Sequence, residues 1–228
     1  MRALSTFNGT HVAAAFAGAA AAATVAFAAT AAMAAAEPAA PPPGFKLPHG
    51  QHDARTATAG TYTLDVQHTA LIARVSHLGF SMSGFRFDKV EATLQWDPAH
   101  MEKSKLSASV DTASIATPVA GFAQQLTGKD YLNSANFPKA TFVSTAFRPS
   151  GNQHGQVDGK LTILGKTVKA TFDVTLIGAG PGFAASPKLG HVLGVRAVTL
   201  VDPKALGLPD VFSDPIEIAV DTEFTKPS

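Results

Sequence analysis

The segment 157–176 alternates apolar and polar residues on either side of a short turn, and the chain after residue 60 follows the same pattern. Gly165 lies in the turn, where a residue that tolerates positive φ is needed. A period of two sends successive side chains to opposite faces of a strand, so one face of this predicted hairpin is buried and the other is wet. The residues on its apolar face are Val157, Leu161, Ile163, Ala170, Phe172, Val174 and Leu176.

About eight strands of this kind are predicted between residue 60 and the end of the chain, with one or two short helices. The first strand carries Tyr62, Leu64 and Val66 on one face. One short helix is predicted within 119–132, with a start at Pro118, because proline suits the first position of a helix. Short gaps between strands favour antiparallel connections. The pattern predicts an all-β fold, which is either a closed barrel or a sandwich.

The N-terminal part of the chain is predicted to lie outside this fold. Arg2 is the only charged residue before Glu37, and the alanine-rich run between them ends in small residues, so 1–36 is predicted to be a cleaved signal peptide. An uncleaved membrane anchor is the alternative, because the run is long enough to cross a bilayer. Residues 37–59 form a Pro/Ala-rich linker, and 60–228 form the domain, which we expect in the periplasm.

The composition argues against a protein held by disulfides or anchored through a lipid-modified cysteine, and against a nucleic-acid-binding protein. The chain contains no cysteine, so neither a disulfide nor a lipid-modified cysteine is available, and a hydrophobic core must hold the domain together. The formal net charge is +1 at pH 7, without the excess of basic residues that phosphate binding requires. Nucleic acid is therefore not predicted to be a partner.

Two motif-like fragments do not predict a site. The Gly-Lys-Thr triplet at 165–167 lies in a hairpin turn and not between a strand and a helix, so it does not predict a phosphate-binding loop. The spacing of His49, His52 and Asp53 suits a metal ion, but these residues lie in the predicted linker, and a metal site needs a rigid ligand set. A solvated histidine pair is the preferred interpretation, and no metal site is predicted.

His68 and His77 are the two histidines that lie near the first strands. A catalytic base would need a neighbouring nucleophile and an orienting acid, which sequence spacing alone cannot show. Structural hydrogen bonding is the first interpretation for both side chains, and contact with a ligand headgroup is the second. No catalytic residue is predicted.

A series of short motifs follows a fixed order across 60–224. They are Tyr62-x-Leu64-Asp65-x-x-His68-Thr69, His77 with Gly79, Phe85, Asp111 with Ser114 and Thr117, Asp130-Tyr131-Leu132, Phe137-Pro138-x-Ala140-x-Phe142, Gly159-x-Leu161-Thr162-Ile163-x-Gly165, and Gly194 with Asp202 and Gly207-Leu208. Together they resemble the YceI-like family of exported polyisoprenoid-binding proteins. The resemblance implies a lipocalin-like barrel of eight antiparallel strands with a long apolar tunnel.

The resemblance also implies a function. The tunnel would hold an isoprenoid chain, such as the tail of a quinone or a polyprenyl lipid, and the protein would carry or sequester that lipid without catalysis. The bound lipid would be the ligand, with no cofactor beside it. Transient contact with a membrane and a homodimer are both compatible with this function.

The candidate binding residues are the inward-facing apolar residues of opposed strands and two polar residues for the headgroup. The tunnel candidates are Leu94, Leu106, Val110, Phe142, Leu161, Ile163, Phe172, Val174, Ile218 and Val220. His77 and Arg196 are the candidates for contact with a polar headgroup at a tunnel mouth. Each apolar candidate has the alternative interpretation of a simple core residue.

The chain departs from the family pattern at one place. The family often carries an arginine, an acid and an aromatic residue ahead of the final glycine, where this chain has Pro203, Ala205 and Leu206. Two other functions stay open. A protein-interaction or stress-response module would have a packed barrel and an exposed apolar patch. An enzyme acting on lipids or esters would need a convergent polar group of side chains around His68 or His77.

Overall fold

The computed structural model describes residues 47–183 and 190–227. The predicted signal peptide, 1–36, and the first part of the predicted linker lie outside the described residues. The strands are β1 Gly60–His77, β2 Ser81–Phe87, β3 Val90–Trp96, β4 Lys105–Asp111, β5 Ile115–Ala116, β6 Lys139–Ser150, β7 His154–Ile163, β8 Lys166–Pro181, β9 His191–Val201 and β10 Ile216–Lys226. The α-helices are α1 Phe122–Thr127 and α2 Pro203–Leu206.

Eight of these strands close into an antiparallel barrel, which confirms the predicted fold class. The order around the barrel is β10-β9-β8-β7-β6-β4-β3-β1, and β1 pairs with β10 to close it. The two remaining strands, β2 and β5, extend the sheet from the second half of β1. Among the described residues, no helix is long and apolar enough to cross a membrane.

The predicted hairpin at 157–176 is formed by β7 and β8. Ile163 pairs with Lys166, so Leu164 and Gly165 alone make the turn. Both turn residues have positive φ, 52° and 72°, as a two-residue turn between twisted strands requires. The strand alternation is as predicted, because Val157, Leu161 and Phe172 are buried while charged residues lie between them.

The barrel has two distinct ends, which follow from the register of the strands. We call one the hairpin end, because the β1–β2 connection lies there together with α1 and α2. We call the other the arm end, because the N-terminal segment 47–59 packs there beside the β6–β7 turn. Gln51 exchanges backbone hydrogen bonds of 2.8 and 2.9 Å with Ala179, and the amide of Ala54 donates to the carbonyl of Asn152 at 3.3 Å.

The N-terminal boundary of the domain therefore differs from the prediction, which assigned 37–59 to a linker. Ala54 and Ala57 are buried in a hydrophobic cluster with Tyr62 and other residues at the arm end. The carboxylate of Asp53 accepts a hydrogen bond from the amide of Arg55 and caps a short 3-10 helix there. Small alanines allow this close packing on the barrel, although their sequence shows no apolar period.

The first strand departs from its predicted alternation at Val66, which is 65% exposed. The pairing of β1 with β10 shifts register between Asp65 and Ala70, as a β-bulge does. Before the bulge, Leu64 faces the barrel interior; after it, Leu71 and Ala73 do. The bulge thus changes which residues face inward, and Val66 falls within it.

The predicted short helix within 119–132 forms, but it starts at a different residue. The helix α1 begins at Phe122, with Gly121 before it at a φ of 77°, and not at Pro118 as predicted. Thr117 instead accepts a hydrogen bond from the amide of Val119 through its side chain. A second short helix, α2, forms where only turns were predicted, because Asp202 caps it and Pro203 occupies its first position.

A glycine in β7 permits a close aromatic contact inside the barrel. A Cβ atom on Gly159 would lie 2.3 Å from Cζ of Phe142 and 2.6 Å from the carbonyl oxygen of Val143. Phe142 is buried and packs edge-to-face on Phe172, with ring centroids 4.9 Å apart. The ring therefore lies directly over the backbone of Gly159.

We expect Gly159→Ala to lower the free energy of unfolding by about 1–3 kcal/mol, because the added methyl group displaces the ring of Phe142. Gly194→Ala in β9 is the matched control, since its Cβ would meet only ordinary contacts from 3.6 Å outward. The control should change the free energy by about 0.5 kcal/mol or less. Chemical denaturation of both variants measures the difference, and equal midpoints would contradict the proposed packing.

Candidate ligand-binding lumen

The barrel encloses an apolar lumen with a volume of about 330 Å³. All eight barrel strands and the short elements at both ends contribute residues to its wall. Ligand pockets commonly have volumes of about 300–1,000 Å³, so this lumen is large enough for a small molecule or a slender chain. A largely apolar wall favours a hydrocarbon ligand over a polar one.

All ten predicted tunnel residues lie in the wall of this lumen. Four of them are buried: Leu94, Phe142, Leu161 and Phe172. The other six are half-buried: Leu106, Val110, Ile163, Val174, Ile218 and Val220. Aliphatic side chains that face inward and still keep accessible surface border open space, so this part of the barrel is hollow. Their contact with a ligand stays a prediction.

The hairpin end of the lumen is rich in aromatic residues. Phe85 and Phe87 of β2 face the lumen, and Phe85 packs edge-to-face on Phe122 of α1 at 5.9 Å. Tyr131 and Phe212, from the loops after α1 and α2, also line the lumen and contact each other edge-to-face at 6.1 Å. These rings narrow the barrel at this end while leaving it apolar.

Sequence reasoning missed this aromatic group as part of the binding wall. The alternation of Phe85 and Phe87 in a strand pattern could have revealed two of its members, because both share one face. Tyr131 and Phe212 lie in irregular loops, where periodicity carries no signal.

The arm end of the lumen carries the polar part of its wall. The β6–β7 turn folds across the barrel there, and Asn152, Gln153 and His154 contribute to the lining. The carbonyl of Gln153 accepts a hydrogen bond from the amide of Leu176 at 2.7 Å, which holds the turn in place. Trp96 closes the same end as a buried member of the hydrophobic cluster.

The two predicted headgroup residues lie in different places. His77 ends β1 at the hairpin end and has the inward phase of Ala73 and Val75, which line the lumen. Arg196 points to the outside of the barrel, because its neighbours Val195 and Ala197 point inward, and it is ion-paired with Asp221 at 3.0 Å. His77 is exposed and does not itself line the lumen, so its contact with a headgroup stays a prediction. The outward direction of Arg196 does not favour such a contact.

The β-bulge in β1 gathers Asp65, His68 and Glu223 on the outside of the barrel. The Nδ1 atom of His68 lies 2.9 Å from a carboxylate oxygen of Asp65 and 3.8 Å from one of Glu223. Their potential ligand atoms all lie within 4.8 Å of one another, a spacing that could hold a metal ion. The sequence does not reveal this group, because Glu223 comes from the far end of the chain.

This group perturbs the titration of two members. The hydrogen bond to Asp65 and the charge of Glu223 raise the pKa of His68. Burial alone would raise the pKa of Asp65, but the hydrogen bonds from His68 and from the amide of Gln67 outweigh it, so that pKa is lowered. Both shifts favour the charged pair.

An acid and a histidine in contact are two parts of a catalytic triad, but the third part does not join them here. The neighbouring hydroxyl groups of Thr69 and Thr222 are hydrogen-bonded to each other at 2.6 Å, and Thr69 also donates to the backbone carbonyl of Asp65. Among the described residues, His68 therefore makes no hydrogen bond to a hydroxyl nucleophile. The arrangement fits a clasp that holds the bulge better than it fits catalysis.

Comparison with known proteins identifies the family. Residues 62–224 match the model of the YceI-like domain. The chain belongs to the YceI-like family. A UPF0312 protein of Pseudomonas fluorescens is 33% identical over 172 residues, covering 74% of this chain and 88% of the relative. A UPF0312 protein of Pseudomonas putida is 31% identical over 177 residues, covering 76% and 90%.

Solved structures share the fold. BcnA of Burkholderia cenocepacia superposes with a TM-score of 0.62 at 24% identity, covering 70% of this chain and 98% of BcnA. The YceI protein of Campylobacter jejuni gives 0.60 at 22% identity, covering 68% and 91%. A polyisoprenoid-binding domain from Saccharophagus degradans, implicated in plant cell wall breakdown, gives 0.53 at 13% identity, covering 73% and 98%. At these identities the likeness concerns the fold alone.

The pair of Asp65 and His68 gives the stability of this barrel a dependence on pH. Because the pKa of His68 is raised in the folded state, its protonated form stabilises the fold. This stabilisation is complete below the unfolded-state pKa of about 6.5 and is lost as the pH rises through the folded-state pKa. Because the pKa of Asp65 is lowered in the folded state, its ionised form stabilises the fold above about pH 4. This stabilisation is lost as the pH falls through the folded-state pKa. The pair therefore contributes most between about pH 4 and 6.5.

We expect His68→Ala to lower the melting temperature more at pH 5.5 than at pH 8.5, by about 0.5–4 °C, the scale of an exposed pair. His49→Ala, which removes an exposed histidine of the arm, is the control and should show no such difference. Thermal melts at both pH values measure it. A loss of equal size at the two pH values would count against the charged pair.

Proposed function

We propose that this protein binds a long-chain isoprenoid lipid in the lumen and carries or sequesters it without catalysis. The observation that carries the proposal is the elongated apolar lumen of a closed barrel in a member of the YceI-like family. The description of a distant structural relative as a polyisoprenoid-binding domain supports the ligand class. A quinone tail and a polyprenyl lipid are the two ligands that this chemistry allows.

The shape of the lumen favours a long and slender ligand. Its wall follows β10 from Ile216 to Phe224. At about 3.3 Å per residue and a strand tilt of about 40°, this stretch extends roughly 20 Å along the barrel axis. Each buried CH₂ group contributes about 0.8 kcal/mol, while association costs on the order of 4–15 kcal/mol. A short chain would bind weakly, so useful affinity requires several isoprene units.

The unfilled contacts of the lumen wall also favour a resident ligand. Six of the predicted tunnel residues face inward and are only half-buried, so they lack contacts on their inner side. An apolar ligand would supply these contacts, because a buried side chain gains many small dispersion contributions.

The hairpin end is the place that we propose for the polar headgroup. Tyr131 lines the lumen there and brings a hydroxyl group for which the described residues provide no hydrogen-bond partner. His77 lies at the same end. A carbonyl or phosphate oxygen of a headgroup could accept a hydrogen bond from either side chain.

The proposed compartment is the periplasm, reached through the predicted signal peptide. The homodimer suggested by the family resemblance stays a prediction. The rival interpretation as an interaction module expects a packed barrel together with an exposed apolar patch, and the hollow interior does not match the first of these expectations.

The first test is native mass spectrometry with lipid extraction, performed on the protein purified from its own exported compartment. We expect a prenyl lipid at near one molecule per chain. A protein that is empty, and that stays empty when long-chain quinones and polyprenyl phosphates are added, would refute the proposal. The same experiment distinguishes the two ligand classes by mass.

A substitution that fills the lumen gives a second test. Ala197 of β9 points inward among Val174 and Val220, whereas Leu200 of the same strand is 66% exposed on the outer surface. We expect Ala197→Trp to reduce isoprenoid binding at least about tenfold, because the indole takes the volume that the chain needs. Leu200→Trp adds the same ring to the outside and should bind normally.

Titration with a long-chain quinone, followed by the quenching of protein fluorescence, measures both affinities. Circular dichroism must show that both variants are folded. Normal binding by folded Ala197→Trp would place the ligand outside the lumen and contradict the proposal.

A further inference from the structure

The β1–β2 hairpin projects beyond the barrel at the hairpin end. The last pair between β1 and β10 joins Arg74 and Glu217. Three further pairs between β1 and β2 follow, from Val75 with Ser83 to His77 with Ser81. The pairing of β2 with β5 starts only at Arg86. The tip is therefore a two-stranded ribbon that extends past the barrel wall.

Three large apolar side chains are exposed on this tip. Phe80 is 87% exposed, Leu78 62% and Met82 57%. They lie within five consecutive residues, unlike Val66, Val143 and Leu200, which are exposed singly on the barrel wall. Clustered exposed apolar residues mark interaction sites, whereas single ones are ordinary.

The conformation of the tip is fixed and not frayed. Leu78 and Gly79 have positive φ of 53° and 77°, and the amide of Phe80 donates to the carbonyl of His77 at 3.0 Å. The amide of Gly79 also donates to the hydroxyl of Ser76 at 3.1 Å. Leucine seldom adopts positive φ, so this turn holds an unfavourable residue in a defined outward position.

The tip carries no charge. The eight residues from 78 to 85 contain no Asp, Glu, Lys or Arg. The first charged side chain after them, Arg86, is paired with Asp88 at 2.5 Å. An uncharged apolar loop suits the boundary between lipid headgroups and acyl chains, where charged groups are costly.

The same hairpin also forms part of the lumen wall. Phe85 and Phe87 of β2 line the lumen a few residues from the exposed tip. The exposed tip and part of the lumen lining therefore belong to one hairpin, although Met82 and Phe85 lie on opposite faces of β2. Docking of this tip would bring the hairpin end of the lumen close to the bilayer, which the exchange of a membrane lipid requires.

We propose that the hairpin end docks on a lipid bilayer, with Leu78, Phe80 and Met82 entering the interface between headgroups and acyl chains. The docking follows from the tip itself. The exchange of isoprenoid between bilayer and lumen at this end rests on the proposed function. Because the tip is uncharged, binding should not require anionic lipids and should depend little on salt.

The test compares Phe80→Ser with the control Leu200→Ser, which removes a singly exposed apolar residue from the barrel wall. Flotation with phosphatidylcholine vesicles measures docking. We expect Phe80→Ser to reduce the vesicle-bound fraction at least threefold, and the control to behave as the wild type. Vesicles with added phosphatidylglycerol, at low and high salt, measure any dependence on charge.

Two outcomes would overturn the docking proposal. One is a wild-type protein that does not float with either kind of vesicle. The other is equal flotation of Phe80→Ser and the wild type. Light scattering gives a third, since a dimer that Phe80→Ser converts to a monomer, without any vesicle binding, would assign the tip to a second copy of the chain.

A transfer measurement separates this proposal from the proposed function. A long-chain quinone is offered either in ethanol or within phosphatidylcholine vesicles. We expect Phe80→Ser to bind the quinone from ethanol normally and to take it from vesicles at least threefold more slowly. Absence of binding by the wild type in both forms would refute the proposed function, while flotation would still decide the docking. Normal transfer by Phe80→Ser would refute exchange at this end.

Discussion

The barrel depends on β1, because this one strand supplies both the closure and a change in phase. Its first half pairs with β3, its second half with β2, and both halves pair with β10. The bulge between Asp65 and Ala70 lets Leu64 before it and Leu71 after it face the same interior. The hydrogen bonds of Asp65 to Gln67 and His68 hold this bulge. The hydrogen bonds of Asp65 on the outside of the barrel therefore stabilise the bulge that lets Leu64 and Leu71 face the interior.

Because the interior of the barrel is hollow, packed contacts at its ends are important for the stability of the fold. At the arm end, Tyr62 is fully buried and donates its hydroxyl to the carbonyl of Thr58 at 2.8 Å. The N-terminal arm adds Ala57 to the same cluster. In the middle, the ring of Phe142 lies directly over the backbone of Gly159. A packed end is compatible with a hollow interior because the cluster of Ala57 and Tyr62 lies at one end of the barrel.

The features that depend on the local alternation of apolar and polar residues were predictable from the sequence. All ten tunnel candidates line the lumen because a period of two fixes which side chains share a face, and because a closed barrel has one interior. Three features were not predictable from the sequence. They are the exposure of Val66, the docking of the arm on Ala179 and the approach of Glu223 to His68. Each depends on a contact between distant parts of the chain or on a bulge, and neither leaves a periodic signal.

The departure from the family pattern near the final glycine has a structural consequence at the hairpin end. Asp202 and Gly207 cap α2 at its two ends, so the turn forms without the arginine and the acid that the family often carries. Leu206 occupies the position of the aromatic residue and is 1% exposed, in the lumen wall near Leu208. An aliphatic side chain there fills less space than a ring would. Leu206 thus places an aliphatic side chain, and not a ring, in the wall at the end where we propose that the headgroup and the membrane meet.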